Sequence, residues 1–330
     1  MGGAGPTITR KTTITRKRER VLPPREDVSR RIREEGAREK RAIRINMIRK
    51  ESERHMEQAK TKINPLLNDH GPGHVKRMVE NVNSVTSVLD ETSFSEKEMG
   101  RKVNERDKFL LEAAGRLHDI GRASETVKEH AISSANFVRE HQELFDDEEQ
   151  KEHVAKLCEL HNEAGTRKYG TDNLAELARK GIIDKETAFQ ASIVRIADAL
   201  DVGEKRVKTN SQGQPGEEVI NAIKQSSSDK AKQYLHHWLG HKGIKDCALE
   251  RRNGKLTNKI SLNTQLTGQL GSDIAFRIKD MLRDMNSTIL EEDYEISFTD
   301  DDKSKIREWY KDYNEIFSDE TQGVEINFEE

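Results

Sequence analysis

The chain has 330 residues and a mass of 37.8 kDa, more than one core of roughly 100–200 residues requires, so two domains with extensions are expected. Only 33% of residues are apolar against 35% charged, and the mean hydropathy is -0.90. Much of the chain must therefore stay wet as helix faces or tails, and a membrane protein is excluded. No apolar run approaches the roughly 18–20 residues that span a bilayer, and the Gly-, Thr- and Arg-rich start lacks the apolar stretch of a signal peptide, so a cytoplasmic protein is expected. The two cysteines, Cys158 and Cys247, lie far apart without Cys-x-x-Cys spacing. That excludes a zinc knuckle or a disulfide framework and leaves two free thiols.

In chain order, residues 1–25 are a basic arm. It contains the repeat TITRK at 7–11 and 13–17, then RKRER and Pro23-Pro24; low apolar content predicts disorder. Residues 1–62 hold 19 basic and 9 acidic side chains, whereas residues 291–330 hold 4 basic and 15 acidic ones. The arm reads either as a phosphate-binding tail for nucleic acid or as a solvated extension, with no aromatic residue interleaved to stack on bases. Residues 26–64 predict a charged accessory helix, with Ile45, Ile48, His55, Met56, Ala59 and Ile63 near one face until Pro65 interrupts. Residues 65–210 change character. Apolar residues return at helical spacing and predict helices at about 72–90, 105–119, 127–141, 148–161, 172–180 and 187–203, a compact helical domain.

Beyond Asn210 comes the linker SQGQPGEE and a helix to about Leu239. Residues 217–330 form a smaller α+β domain with an acidic tail. Alternation at Ile260 and Leu262, and again at Tyr294, Ile296 and Phe298, predicts strands, with a helix at about 271–289 between them. The fold class is thus mainly α, a multi-helix bundle with an N-terminal charged helix and a smaller C-terminal α+β domain.

The residues that carry chemistry are His74, the adjacent His118-Asp119, His130, His161 and Asp198, one or two per helix. His118-Asp119 follows a buried face of Leu110, Ala113, Ala114 and Leu117 and projects from the helix end, where Gly121 is positioned to cap it. Imidazole nitrogen with carboxylate oxygen suits a divalent Zn, Mn, Fe or Ni ion, while a site for Mg or Ca alone would be all oxygen. Asp198 sits on the apolar stripe of SIVRIADALD, and a carboxylate so near a core needs a partner. His236, His237 and His241 in YLHHWLGH lack a nearby carboxylate or thiol and read as packing residues. No GxxxxGK[ST] loop occurs, so a P-loop fold has no support.

These segments, HGPGHVKRMV, LLEAAGRLHDIGR, KEHAISSANFV, LCELHNEAG and IVRIADALD, resemble the HD superfamily of metal-dependent phosphohydrolases over residues 70–202. The resemblance implies an HD-domain helical bundle in which His74, His118, Asp119 and Asp198 bind a first metal ion. It further implies that His130 and His161 serve a second ion with Asp119 bridging; both also read as helix-end histidines. Arg122 and Arg195 would neutralise phosphate, or else form ordinary salt bridges. His70 is an alternative to His74, which the HVKRMV pattern favours. The GYP motif of cyclic-di-GMP phosphodiesterases is absent, since the corresponding stretch is HNEAGTRKYG.

The implied activity is hydrolysis of a phosphoester or phosphoanhydride, in a nucleotide or other phosphorylated small molecule. One or two divalent transition-metal ions (Mn, Fe, Ni or Zn) would supply an activated hydroxide. Two alternatives stand beside it, a metal-dependent nuclease fed single strands by the basic arm and a regulatory module that binds a nucleotide without turnover. A homo-oligomer is left open.

Overall fold

The computed structural model describes residues 25–59, 69–123, 129–207, 238–252, 255–262, 294–298 and 325–328, with positions 277, 278, 281, 283–285, 287 and 288 besides. Residues 1–24, the helix-ending Ile63 and Pro65, the linker 211–218, His236, His237 and most of the acidic segment lie outside the described residues. Contacts part the chain into Met1–Ala42 and Ile43–Glu330. No described helix is long and apolar enough to cross a membrane.

Among the described residues nine α-helices run up to Leu200, and residues 238–243 are helical as well. The nine are α1 (Arg25–Ala59), α2 (Pro72–Glu91), α3 (Phe94–Met99), α4 (Glu105–Leu117), α5 (His130–Glu140), α6 (Glu148–Leu160), α7 (Glu163–Thr166), α8 (Leu174–Arg179) and α9 (Lys185–Leu200). Within the first unit, residues 33–40 of α1 are exposed on every side, as a helix charged all round must be. In the second unit the same helix buries Ile48, Ser52 and Met56 at four-residue intervals, and the Ser52 hydroxyl donates to the Arg116 carbonyl at 2.6 Å.

Helix starts follow from local chemistry. Pro72 opens α2, where a missing N–H costs nothing. Asn104 and Asp107 close a capping box on α4, and Asp147, Asn162, Asn173 and Asp184 cap α6, α7, α8 and α9. Hydrophobic spacing placed the starts of α4 and α6 where these caps do, and those of α8 and α9 two residues off.

Helix α9 is the axis of the bundle. Thirteen of its 16 residues are buried, among them Phe189, Ile193, Val194 and Ile196, and it packs against α2, α3, α4, α6 and α8. A helix buried on nearly every face lies inside its neighbours, and its buried polar side chains Gln190, Ser192 and Arg195 are hydrogen-bonded there. Its position brings the ends of α2, α4 and α6 to one place.

The C-terminal sheet has the order β1 (Ile244–Arg252), β2 (Lys255–Leu262), β3 (Tyr294–Phe298) and β4 (Glu325–Phe328). Strands β1 and β2 are antiparallel, while β2–β3 and β3–β4 are parallel and so need crossovers rather than tight turns. Helical residues fall between β2 and β3 in the chain, and their Ile278, Met281 and Met285 are buried with Cys247, Leu249, Leu256 and Ile260 in the same core as α9. The mainly α architecture with a small C-terminal sheet is the one expected. Strands β1 and β4 extend that sheet beyond the two segments that alternation picked out.

Two stability tests follow from the caps and the thiols. Burial works to raise the Asp184 carboxyl, but hydrogen bonds from the Thr187 N–H and hydroxyl outweigh it and hold the pKa below the usual value. A depressed folded pKa contributes stability above the unfolded value, roughly 4, and loses it as pH falls through the folded one. Asp184→Ala should cost about 1 kcal/mol in urea unfolding at pH 7, with the gap to wild type narrowing below about pH 4; a pH-independent gap would rule the cap out as its source. Cys158 and Cys247 are both buried and their thiols are pushed up by burial, Cys247 to about 12. Neither should react with a thiol reagent at pH 8 until the protein is unfolded in denaturant.

Candidate metal centre

Each candidate residue is held at the end of an element. His74 lies in the first turn of α2, His118 caps the C-terminus of α4, Asp119 follows it, His130 opens α5, His161 caps the C-terminus of α6, and Asp198 lies in the last turn of α9. The last carbonyls of a helix lack intrahelical partners, and two of these histidines use them. His118 Nδ1 bonds the Gly115 carbonyl at 3.0 Å and His161 Nδ1 the Cys158 carbonyl at 2.6 Å. His74 Nδ1 bonds Asp201 Oδ2 at 2.5 Å. In all three, the Nδ1 proton is committed and Nε2 is left as a lone pair.

Those lone pairs converge with carboxylate oxygens. His74 Nε2 lies 3.1 Å from His118 Nε2, 3.6 Å from Asp119 Oδ2 and 3.5 Å from Asp198 Oδ1. His118 Nε2 lies 3.8 Å from Asp119 Oδ2 and 3.9 Å from Asp198 Oδ1. All four are acceptors, and Asp198 Oδ1 is buried without a hydrogen-bond partner. The other oxygen, Asp119 Oδ1, faces the opposite way, 3.2 Å from His130 Nε2, 3.8 Å from His161 Nε2 and 2.7 Å from Arg122 Nε. The Arg122 contact is a charge contact off the N–H axis, since neither atom completes a hydrogen bond.

Burial pushes the His118 imidazole below its ordinary range and those of His70 and His161 well below it, so these rings are neutral near pH 7. Burial works to raise the carboxyls, yet Arg122, His118 and His130 hold Asp119 well below the carboxylate range, and Arg206, His118 and His74 do the same for Asp198. Neutral imidazoles beside ionised carboxylates are the protonation states a divalent cation requires. The orphaned Asp198 Oδ1 and this mixed N/O set fit a transition-metal ion, and His74, His118, Asp119 and Asp198 would hold it. Asp198 retains 24% side-chain exposure against 0–1% for the other three, although its Oδ1 atom is buried.

Arg195 is not where a phosphate-neutralising group was expected. Its guanidinium is buried, and its two terminal nitrogens donate to the Leu160 carbonyl at 2.8 Å, the Asp172 carbonyl at 2.7 Å and the Ser287 hydroxyl at 2.5 Å. It ties the end of α6 to the C-terminal part and faces no ligand atom. Gly121 also serves differently. It lies in the turn Ile120–Ala123 without positive φ, and a Cβ there would meet the His130 carbonyl at 2.4 Å and the Ser134 nitrogen at 2.6 Å. Glycine lets α5 close on the turn that carries Asp119. His70 joins the centre beside His74, with Nδ1 at 2.8 Å from Asp119 Oδ2, and buried His241 accepts from the Gly203 N–H at 3.2 Å.

Four residues of the centre are absent from the set that the sequence pattern picks out. Asp201 accepts the hydrogen bond from His74 Nδ1 and is itself held by Arg77 Nε at 2.7 Å. Arg206 sits 3.6 Å from Asp198 Oδ1 and bonds the Asp201 carbonyl at 2.9 Å. Asn162 Nδ2 lies 2.8 Å from His130 Nε2 and 3.1 Å from His161 Nε2. Asp201 and Arg77 each follow a candidate ligand by three residues, one helical turn, and that spacing is the signal that would have found them.

The sequence of residues 74–203 matches the profile of the HD domain, the stretch that contains every residue of the centre except His70 and Arg206. The chain therefore carries an HD domain, of a family whose members are generally metal-dependent hydrolases. No curated protein and no solved structure matches the chain.

Asp201→Asn removes the charge that orients His74 and should weaken Mn binding by about 10–100-fold with the circular dichroism spectrum unchanged; unchanged affinity would show that the Nδ1 link is dispensable. Gly121→Ala should destabilise the protein by about 1–3 kcal/mol in urea unfolding, since the added methyl drives α5 from the Asp119 turn.

Proposed function

We propose that the chain is a metal-dependent phosphohydrolase that cleaves a phosphoester or phosphoanhydride, with a nucleotide as the substrate class to screen first. The observation that carries the reading is the convergence of four ligand-type atoms, from His74, His118, Asp119 and Asp198, of which Asp198 Oδ1 is buried without a hydrogen-bond partner. When bound, a divalent ion there polarises a phosphoryl oxygen and lowers the pKa of water toward neutrality.

The chain's own residues supply the rest. Asp201 and the Gly115 carbonyl hold protons on the Nδ1 atoms of His74 and His118, so both rings present Nε2. Arg122, 11% exposed, and Arg206 place two guanidinium charges against the carboxylates of the centre. Permanent positive charge beside a metal site favours an anionic substrate and stabilises charge that develops on phosphoryl oxygens. Both cysteines are free, which fits a reducing compartment such as the cytoplasm.

The net charge of residues 1–62 favours a second reading, a nuclease whose basic arm delivers a single strand. Affinity for single-stranded RNA or DNA that falls steeply with salt and is lost on deleting residues 1–24 would select it over a nucleotide hydrolase.

The decisive test is phosphate or nucleotide release from a panel of nucleotides and model phosphoesters with Mn, Fe, Ni or Zn. Asp119→Ala should reduce turnover to background and lose bound metal while the helical circular dichroism persists. Turnover at the wild-type rate in that variant would exclude this centre. Tight nucleotide binding with no turnover in any metal would convert the reading to a regulatory module.

A further inference from the structure

The two histidine pairs of the centre differ in what lies between them. His74 Nε2 and His118 Nε2 face one another at 3.1 Å as lone pairs, because both Nδ1 protons are committed elsewhere, and no described donor reaches either. His130 Nε2 and His161 Nε2 face one another at the same 3.1 Å, but Asn162 Nδ2 lies 2.8 Å from the first and 3.1 Å from the second. One amide nitrogen with two N–H groups lies within reach of both rings, and His161, whose Nδ1 is committed to the Cys158 carbonyl, presents Nε2 to it as an acceptor. The amide cannot turn round at low cost, because its oxygen accepts from the N–H groups of Ala164 and Gly165 at 2.9 Å and 3.4 Å as the cap of α7. Arg122 completes the enclosure. Its Nη2 lies 3.2 Å from His130 Nε2, and its Nε lies 2.7 Å from Asp119 Oδ1, the carboxylate oxygen on that side.

We infer that this centre takes one ion, held by His74, His118, Asp119 and Asp198, and that Asn162 and Arg122 fill the place beside His130 and His161 that a second ion would need. The inference rests on the metal-dependent reading above. A cation at His130 and His161 would have to displace a capped amide and approach a guanidinium, so it would lose hydrogen bonds and meet like charge at once. The positive charge against Asp119 Oδ1 is instead a permanent part of the chain, independent of metal supply. His161 then acts as an acceptor that positions Asn162, and His130 Nε2 is packed against Asn162, Arg122 and Asp119 Oδ1.

The test is metal content by plasma mass spectrometry on the full chain, purified without a metal-affinity resin, incubated with Mn and dialysed. Wild type should hold about one ion per chain, His130→Ala should still hold one, and His74→Ala should hold none. The double variant Asn162→Asp, Arg122→Gln should hold about two, because aspartate keeps the cap oxygen while it replaces the amide donor with a ligand, and glutamine removes the charge. Two ions in wild type, with one lost in His130→Ala, would overturn the inference and leave the hydrolase reading standing. No ion in wild type would overturn both. A folded double variant that stays at one ion would overturn the role given to Asn162 and Arg122. If that variant does not fold, wild type and His130→Ala decide the matter by themselves.

Discussion

Four ligand-type atoms from three segments are packed within a few ångströms of one another in the buried interior. Lone pairs and carboxylates so placed repel, and burial magnifies the repulsion. The arrangement persists because each group is anchored from behind. His118 is tied to the last turn of its own helix, His74 is tied through Asp201 to Arg77, and Arg77 reaches Asp69 ahead of α2. A cation is what relieves the strain in front, and the anchors prevent the groups from turning away in its absence.

The same logic explains why the bundle is built around α9. A helix buried on nearly all sides places its last turn, with Asp198, against the ends of α2 and α4, and its other faces carry α6 and α8. Arg195, one turn earlier, reaches the Leu160 carbonyl beside His161 and also Ser287 of the C-terminal part. The small sheet and the helical residues next to it are thus linked to the centre by one buried guanidinium. Burial lowers its pKa only to about 10, so the link keeps its charge at neutral pH.

The legible part of the molecule was the part with periodicity and a distinctive spacing. Helical spacing located α2, α4, α5, α6, α8 and α9, and the order His, His-Asp, Asp pointed to the residues that the fold brings together at the first cluster. Strand β1 went unread although Asn253-Gly254 between two alternating runs is a hairpin signal. Its register shift near Asp246 breaks strict alternation. Arg195 was misassigned because a residue one turn from a ligand can face either the site or the neighbouring helix, and only the packing of α6 and residue 287 determines which.

The amino-acid sequence by itself determined that this is a mainly helical chain carrying an HD domain, with histidines and aspartates of the right kind for a divalent cation, because residue chemistry and helical period are local properties. Only the tertiary structure decided which nitrogens present lone pairs, that Asp201, Arg77 and Arg206 support the centre, and that Asn162 stands between His130 and His161. Those outcomes depend on contacts between residues distant in sequence, such as His74 with Asp201 and His130 with Asn162, and no local pattern encodes which donor will meet which acceptor once the helices have packed.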